Sequence, residues 1–157
     1  MAIYELTDTG IMKNIFKGSP NESLGFLFSR TYSLRQKKMN EELAFIGITY
    51  AQYALLTGLY WLQLQGNIIN QMMLIDYTKL DKSVVSNILQ KMVKEEYILR
   101  EESPNDTRAK IVILTSKGEK LVEQAIQIVD KIDETFWGNI TQGSICQSLQ
   151  EVIKINS

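Results

Sequence analysis

The chain has 157 residues, a formal net charge of −1, 45% hydrophobic and 22% charged residues, and no histidine. That balance belongs to a folded domain with a real core, and so weak a charge argues against a protein that simply coats nucleic acid. The lack of histidine excludes a Ser-His or Cys-His dyad and the commonest metal ligand, and the single cysteine, Cys146, excludes an internal disulfide.

The opening MAIYELTDTG has neither a basic start nor an apolar core, so no secretory signal is expected and the protein is placed in the cytoplasm. A loose segment through Pro20 precedes a helix from about Glu22 to Glu42, with Leu24, Leu27, Phe28, Thr31, Leu34 and Leu43 along one face. Phe45 to Ile75 carries no charge, but Gln52, Gln63, Gln65, Asn67, Asn70 and Gln71 interrupt it and Gly66-Asn67 marks a turn. No apolar run reaches the ~20 residues of a membrane span, so buried helices are expected there. Thr49 and Gln52 form a capping-box pattern for a second helix to about Leu64. That helix is apolar nearly all round, which implies burial on several sides. Asn70 caps a short third helix, stapled by Ile69 and Leu74 and ending near Tyr77.

Asp81 is expected to cap a fourth helix beginning at Lys82, with Leu80 and Val85 at staple spacing and Val85, Ile88, Leu89 and Met92 as its buried stripe. Lys82, Ser83, Ser86, Asn87, Gln90, Lys91 and Lys94 are left on the other side. Short hydrogen-bonding groups let a helix approach base edges, while lysines reach phosphates; the bland alternative is a solvated helix face.

Two strand-like runs follow, Ile98 to Glu102 and Lys110 to Leu114, joined by the turn-rich Ser103-Pro104-Asn105-Asp106-Thr107-Arg108. Asp106 is placed to orient the Arg108 guanidinium, which suits a narrow minor groove; an exposed ion pair is again the alternative. Thr115 and Ser116 are cap candidates for the next helix, with Glu119 completing a box from Ser116. A helix backed by such a ribbon can enter the major groove while the ribbon tip meets the adjacent minor groove.

The long helix from about Lys117 to Phe136 has Leu121, Ala125, Ile128, Val129, Ile132 and Phe136 on one stripe. Gly138 and Gly143 bracket a break before a last helix with Ile145, Leu149, Val152 and Ile153. A small winged lobe should have no surface left for these stripes, so a second copy of the chain is the expected partner. Cys146 on that last helix reads as a small core or interface residue. Glu41-Glu42, Glu95-Glu96 and Glu101-Glu102 are adjacent pairs that do not converge on one helical face, and no phosphate-binding loop follows a strand. No catalytic residue, metal or cofactor is expected.

From roughly Leu24 into the C-terminal helix, the chain resembles the MarR (multiple-antibiotic-resistance regulator) family of bacterial transcription factors. The motifs are Gly47-Ile48-Thr49 with Gln52, Lys82-Ser83 with Ser86, Arg100, Asp106-Thr107-Arg108-Ala109-Lys110 and Leu114-Thr115-Ser116-Lys117-Gly118. Departures are Asn87 where many members carry arginine, Val84 where threonine is common, and Glu96 where a glycine often ends the recognition helix. The resemblance implies a mainly α protein with a small β-wing, a winged helix-turn-helix carrying N- and C-terminal dimerisation helices. One domain over 1–157 would comprise a DNA-binding lobe at about 45–116 and dimerisation helices at about 20–44 and 117–157.

The function expected is sequence-specific binding of double-stranded DNA at a pseudo-palindromic operator by a homodimeric repressor. Lys82, Ser83, Ser86, Asn87 and Lys91 would act from the helix, and Asn105, Asp106, Thr107, Arg108 and Lys110 from the wing. The resemblance also implies release by a small aromatic or phenolic effector, for which Phe28, Tyr32, Tyr53, Thr57 and Tyr60 are the candidate residues. The rival from another class is a winged-helix protein-interaction module without specific DNA binding.

Overall fold

A computed structural model of the chain describes residues 23–103, 106–138, 140 and 142–156. Its elements are helix α1 (Leu24–Leu43), a single 3-10 turn (Ala44–Ile46), helices α2 (Tyr50–Leu64), α3 (Gln71–Thr78) and α4 (Lys82–Lys94), strands β1 (Ile98–Ser103) and β2 (Asp106–Leu114), and helices α5 (Ser116–Trp137) and α6 (Gln142–Ile155). The chain divides into two compact units, Met1–Lys38 and Met39–Ser157. In the first unit, α1 exposes Leu24, Phe26, Leu27, Phe28, Tyr32 and Leu34.

Side chains set most of the helix starts in the second unit. Thr49 Oγ1 accepts from the Gln52 N–H at 3.3 Å while Gln52 Oε1 accepts from the Thr49 N–H at 3.0 Å, so the expected capping box is complete. Asn70 Oδ1 accepts from the Met73 N–H at 3.0 Å, and Ile69 and Leu74 are both buried beside that turn. Two expectations need correction. Asp81 occupies the N-cap position of α4, but its carboxylate accepts no capping hydrogen bond. Its backbone, at φ −59° and ψ 140°, departs from the φ −85° to −114° and ψ 165° to 170° of the three caps that work, Thr49, Asn70 and Thr115. For α5 the cap is Thr115, not Ser116: Thr115 Oγ1 accepts from the Gly118 N–H at 3.0 Å, which leaves Ser116 inside the helix and no box to Glu119.

One core holds this unit together. Leu55, Leu56 and Leu59 of α2, Leu74 of α3, and Val85, Leu89 and Met92 of α4 are buried with Ile98, Val112 and Leu114 of the ribbon. Burying each large aliphatic side chain contributes roughly 1.5–3 kcal/mol before conformational entropy is charged against it. Ile98, Val112 and Leu114 face inward while Leu99 faces out, as period-two alternation requires.

The stripe of α5 was expected to be left over; most of it is not, and only Ile128 and Phe136 of it stay half-buried. Leu121, Val122, Ala125, Val129 and Ile132 are buried in the same core, where α5 packs against α2. The stripe fits there because α2 is apolar nearly all round and offers a second face. On α6, by contrast, Leu149, Val152 and Ile153 stay exposed, and so does Cys146, which removes its reading as a core residue.

The fold is mostly helical with a two-stranded antiparallel sheet, a winged helix-turn-helix. Among the described residues no single helix is long and apolar enough to cross a membrane, and no group of His, Cys, Asp and Glu side chains could hold a metal ion.

Candidate nucleic-acid interface

Helix α4 owes its orientation to Val85, Leu89 and Met92, which anchor one side in the core. Lys82, Ser83, Asn87, Gln90, Lys91 and Lys94 are exposed and Ser86 is half-buried. Opposite the anchored stripe run Ser83, Asn87, Gln90 and Lys94, a line with helical spacing of four, three and four residues. Gln90 and Lys94 were legible as polar-face residues, yet only the anchored stripe shows how centrally they lie. Lys82 and Ser86 flank the line, and Lys91 Nζ stands 3.7 Å from Glu95 Oε1, an ion pair within the helix itself.

The C-terminal end of α4 turns by a Schellman motif. The Tyr97 N–H donates to Met92 O and the Glu96 N–H donates to Val93 O, both at 3.0 Å. This puts Glu96 at φ +61°, in the left-handed region. The same turn closes α2 with Gly66 and the 3-10 turn with Gly47, each at φ +77°, whereas α4 fills the left-handed position with a side-chain-bearing residue, as the end of α3 does with Lys79 at φ +53°. The Glu96 carboxylate gains little in return, since it is 84% exposed and its Oε2 lies 3.9 Å from Lys117 Nζ. Glu96→Gly is therefore expected to raise stability by about 1 kcal/mol, the approximate cost of a left-handed L-residue. Urea unfolding checks this, and an unchanged or lowered midpoint would contradict it.

Three hydrogen bonds tie the ribbon to the last turn of α2 and the start of α3. The Val112 N–H donates to Ile69 O at 2.8 Å, the Leu114 N–H donates to Gln63 Oε1 at 3.2 Å, and Arg100 Nη2 donates to Gln71 Oε1 at 2.8 Å. Ile111 also makes an isolated bridge to Asn70. Gln63 and Gln71 had counted only as interruptions of an uncharged run. Their anchoring role needed the tertiary pairing to become visible, as did that of Arg100, which faces inward toward α3.

At the other end of the ribbon, β1 and β2 pair from Ile98↔Leu114 to Ser103↔Asp106, with a bulge after Glu102↔Lys110. The strands therefore extend into the six-residue turn expected from sequence, and backbone pairing reaches Asp106 itself. Lys110 is exposed. Asn105 lies outside the described residues, as do the side chains of Asp106, Thr107 and Arg108, including the expected Asp106–Arg108 contact.

The Leu114-Thr115-Ser116-Lys117-Gly118 stretch acquires a physical reason here. Thr115 Oγ1 donates to Glu96 O at 2.7 Å, and Lys117 Nζ donates to Glu95 O at 2.8 Å and sits 4.9 Å from the centre of the Tyr97 ring. A Cβ on Gly118 would lie 2.1 Å from Tyr97 O. Glycine thus lets the start of α5 close directly onto the end of α4.

The candidate effector residues fall in different units. Phe28 and Tyr32 are exposed on the α1 stretch of the first. Tyr53, Thr57 and Tyr60 share one face of α2 in the second, all half-buried. Tyr53 and Tyr60 pack against the core, and Thr57 Oγ1 donates to Tyr53 O at 2.8 Å, so that hydroxyl already serves its own helix.

Known proteins share this arrangement. The MarR family sequence model matches residues 46–109. The uncharacterized HTH-type transcriptional regulator YdcH of Bacillus subtilis (strain 168) is 30% identical over 136 residues, which span 86% of this chain and 92% of YdcH. The S. aureus MepR–DNA complex matches with a TM-score of 0.73 and 25% identity, covering 87% of this chain and 96% of that one. The structure describing regulation of DNA binding of Bordetella bronchiseptica BpsR by 6-hydroxynicotinic acid matches with a TM-score of 0.75 and 18% identity, covering 89% and 97%. With the family model matched over residues 46–109 and a relative 30% identical over nearly its whole length, this chain belongs to the MarR family of transcriptional regulators.

Proposed function

We propose that the protein is a dimeric, sequence-specific DNA-binding repressor of the cytoplasm, without catalytic activity. The observation that carries this reading is the polar line of α4, turned outward by the buried Val85, Leu89 and Met92 and set beside an anchored ribbon. In this reading α4 lies in the major groove, where Ser83, Ser86 and Asn87 meet base edges and Lys82 and Lys91 meet phosphates. MepR, of similar fold, is known as a DNA complex, which supports the assignment. The test is selection of bound duplexes from a random library, followed by affinity measurement on the enriched sequence and on scrambled ones. Asn87→Ala is expected to lose about 5- to 150-fold on the enriched duplex and little on scrambled DNA, as a base contact should. Lys82→Ala should weaken both alike and reduce the salt slope by about one phosphate. Equal losses for the two variants on all sequences would overturn this division of roles.

The wing tip is assigned to the flanking minor groove. Arg108 would enter it, oriented by Asp106, while Asn105, Thr107 and Lys110 stand near the backbone. Narrow A·T-rich grooves concentrate negative potential, so Arg108→Ala should lose more affinity on A·T-rich flanks than on G·C-rich ones, and Arg108→Lys should not rescue it. Equal affinity of wild type and Arg108→Ala on both flanks would remove the wing from the interface.

A two-fold dimer supplies the two recognition helices that paired half-sites need, and the exposed apolar residues of α1 and α6 supply surface for it. BpsR is regulated by 6-hydroxynicotinic acid, a small aromatic acid. Together with the half-buried Tyr53, Thr57 and Tyr60 face and the aromatic Phe28 and Tyr32, this favours a small aromatic or phenolic effector that releases the DNA.

A further inference from the structure

Among the outward residues of α4, Val84 is out of place chemically. It lies in the first turn of the helix, three residues before Asn87, and is 39% exposed. A β-branched side chain there gains nothing in helix propensity, and most of the nearby α4 surface is polar: Ser83, Asn87 and Lys91. Resting on the reading of α4 as the major-groove helix, the position becomes informative. The first turn of a recognition helix comes closest to base edges, and the only apolar group that unmodified B-DNA offers in the major groove is the C5-methyl of thymine.

We propose that Val84 reads a thymine methyl group in each half-site, next to the base pair contacted by Asn87. The two side chains are one helical turn apart, so they address the same or neighbouring base pairs. Asn87 offers the donor and acceptor pair that matches adenine N7 and N6, and Val84 offers the apolar surface that matches the methyl of that adenine's paired thymine or of an adjacent one. Threonine would present one methyl and one hydroxyl at this position. Valine presents two methyls, which sharpens the preference for thymine over cytosine and removes a hydrogen-bonding alternative.

Removing the methyl from DNA tests this without altering any hydrogen bond. Duplexes enriched from a random library by the wild-type protein are resynthesised with each thymine replaced in turn by deoxyuridine, and affinities are measured for wild type, Val84→Ala and Val84→Thr. One thymine per half-site should show a loss of about fourfold for wild type, the worth of one buried methyl. Val84→Ala, whose folding is checked by its melting temperature, should lose a similar factor on the thymine duplex and nothing further on the deoxyuridine duplex. Val84→Thr should fall between the two. An enriched sequence without any deoxyuridine-sensitive position would overturn the assignment of Val84 and leave α4 as the DNA-reading helix. A sensitive position that remains equally sensitive in Val84→Ala would do the same. Failure of the wild type to enrich any sequence would overturn the DNA-binding reading itself.

Discussion

Gly118→Ala is expected to destabilise the protein by about 3 kcal/mol, at the upper end of the usual overpacking range. The added Cβ would sit 2.1 Å from Tyr97 O and 2.9 Å from Leu114 Cδ2. The leucine methyl can move, but the carbonyl cannot do so cheaply. It already accepts the Thr115 N–H at 3.1 Å and Thr115 Oγ1 at 3.2 Å, and Tyr97 closes the Schellman turn that ends α4. Relief of the clash must therefore shift α5 away from α4 or break the turn. Alanine's better helix propensity recovers only about 1 kcal/mol. Gly143→Ala in α6 is the matching control, since a Cβ there meets nothing within 4 Å and the change should be neutral or mildly stabilising. Urea unfolding of the two variants beside wild type decides the matter. Equal midpoints for Gly118→Ala and wild type would mean that the α4–α5 junction is far softer than its geometry implies.

Ending the chain after Gly143 is expected to abolish tight operator binding, with losses on the order of 10³-fold or more as specific binding falls toward the non-specific level. The truncation removes α6, whose Leu149, Val152 and Ile153 are 38%, 55% and 65% exposed on the single chain. Apolar residues repeated on one helix and left in water are stabilising only when something covers them, and a second copy is the simplest cover. The truncated chain should aggregate or unfold, as read by sedimentation and circular dichroism. A soluble, folded monomer that still binds the enriched duplex tightly would contradict both the obligate dimer and the role of α6 within it.

Local chemistry made much of this molecule readable in advance. The Thr49–Gln52 box and the Asn70 cap depend on residues within three positions of each other, so their spacing was enough. The buried side of α4 followed from periodicity, because Val85, Leu89 and Met92 can share a face only in a helix. The strand character of Lys110 to Leu114 was likewise legible from its residue types. Where two local solutions competed, sequence could not choose between them. Thr115 and Ser116 were equal cap candidates until the carbonyls of Glu96 and Tyr97, some twenty residues away, engaged the Thr115 hydroxyl. The Asp81 cap failed on backbone geometry, since its φ and ψ lie away from those of the three caps that work.

What sequence by itself determined was the order and type of elements, the polar face of α4, and the absence of histidine-dependent chemistry. These follow from residue identity and from contacts within one or two helical turns. Tertiary structure alone decided which apolar stripes stay within the chain. Most of the α5 stripe is consumed by the far side of α2, whereas among the described residues α6 finds no comparable face, and the two look alike in sequence because amphipathicity does not name its partner. It also decided what holds the ribbon, through Gln63, Gln71 and Arg100, side chains whose partners lie 51 and 29 residues away along the chain. Hydrogen bonds over such separations depend on the packing of whole elements, and no local pattern encodes them.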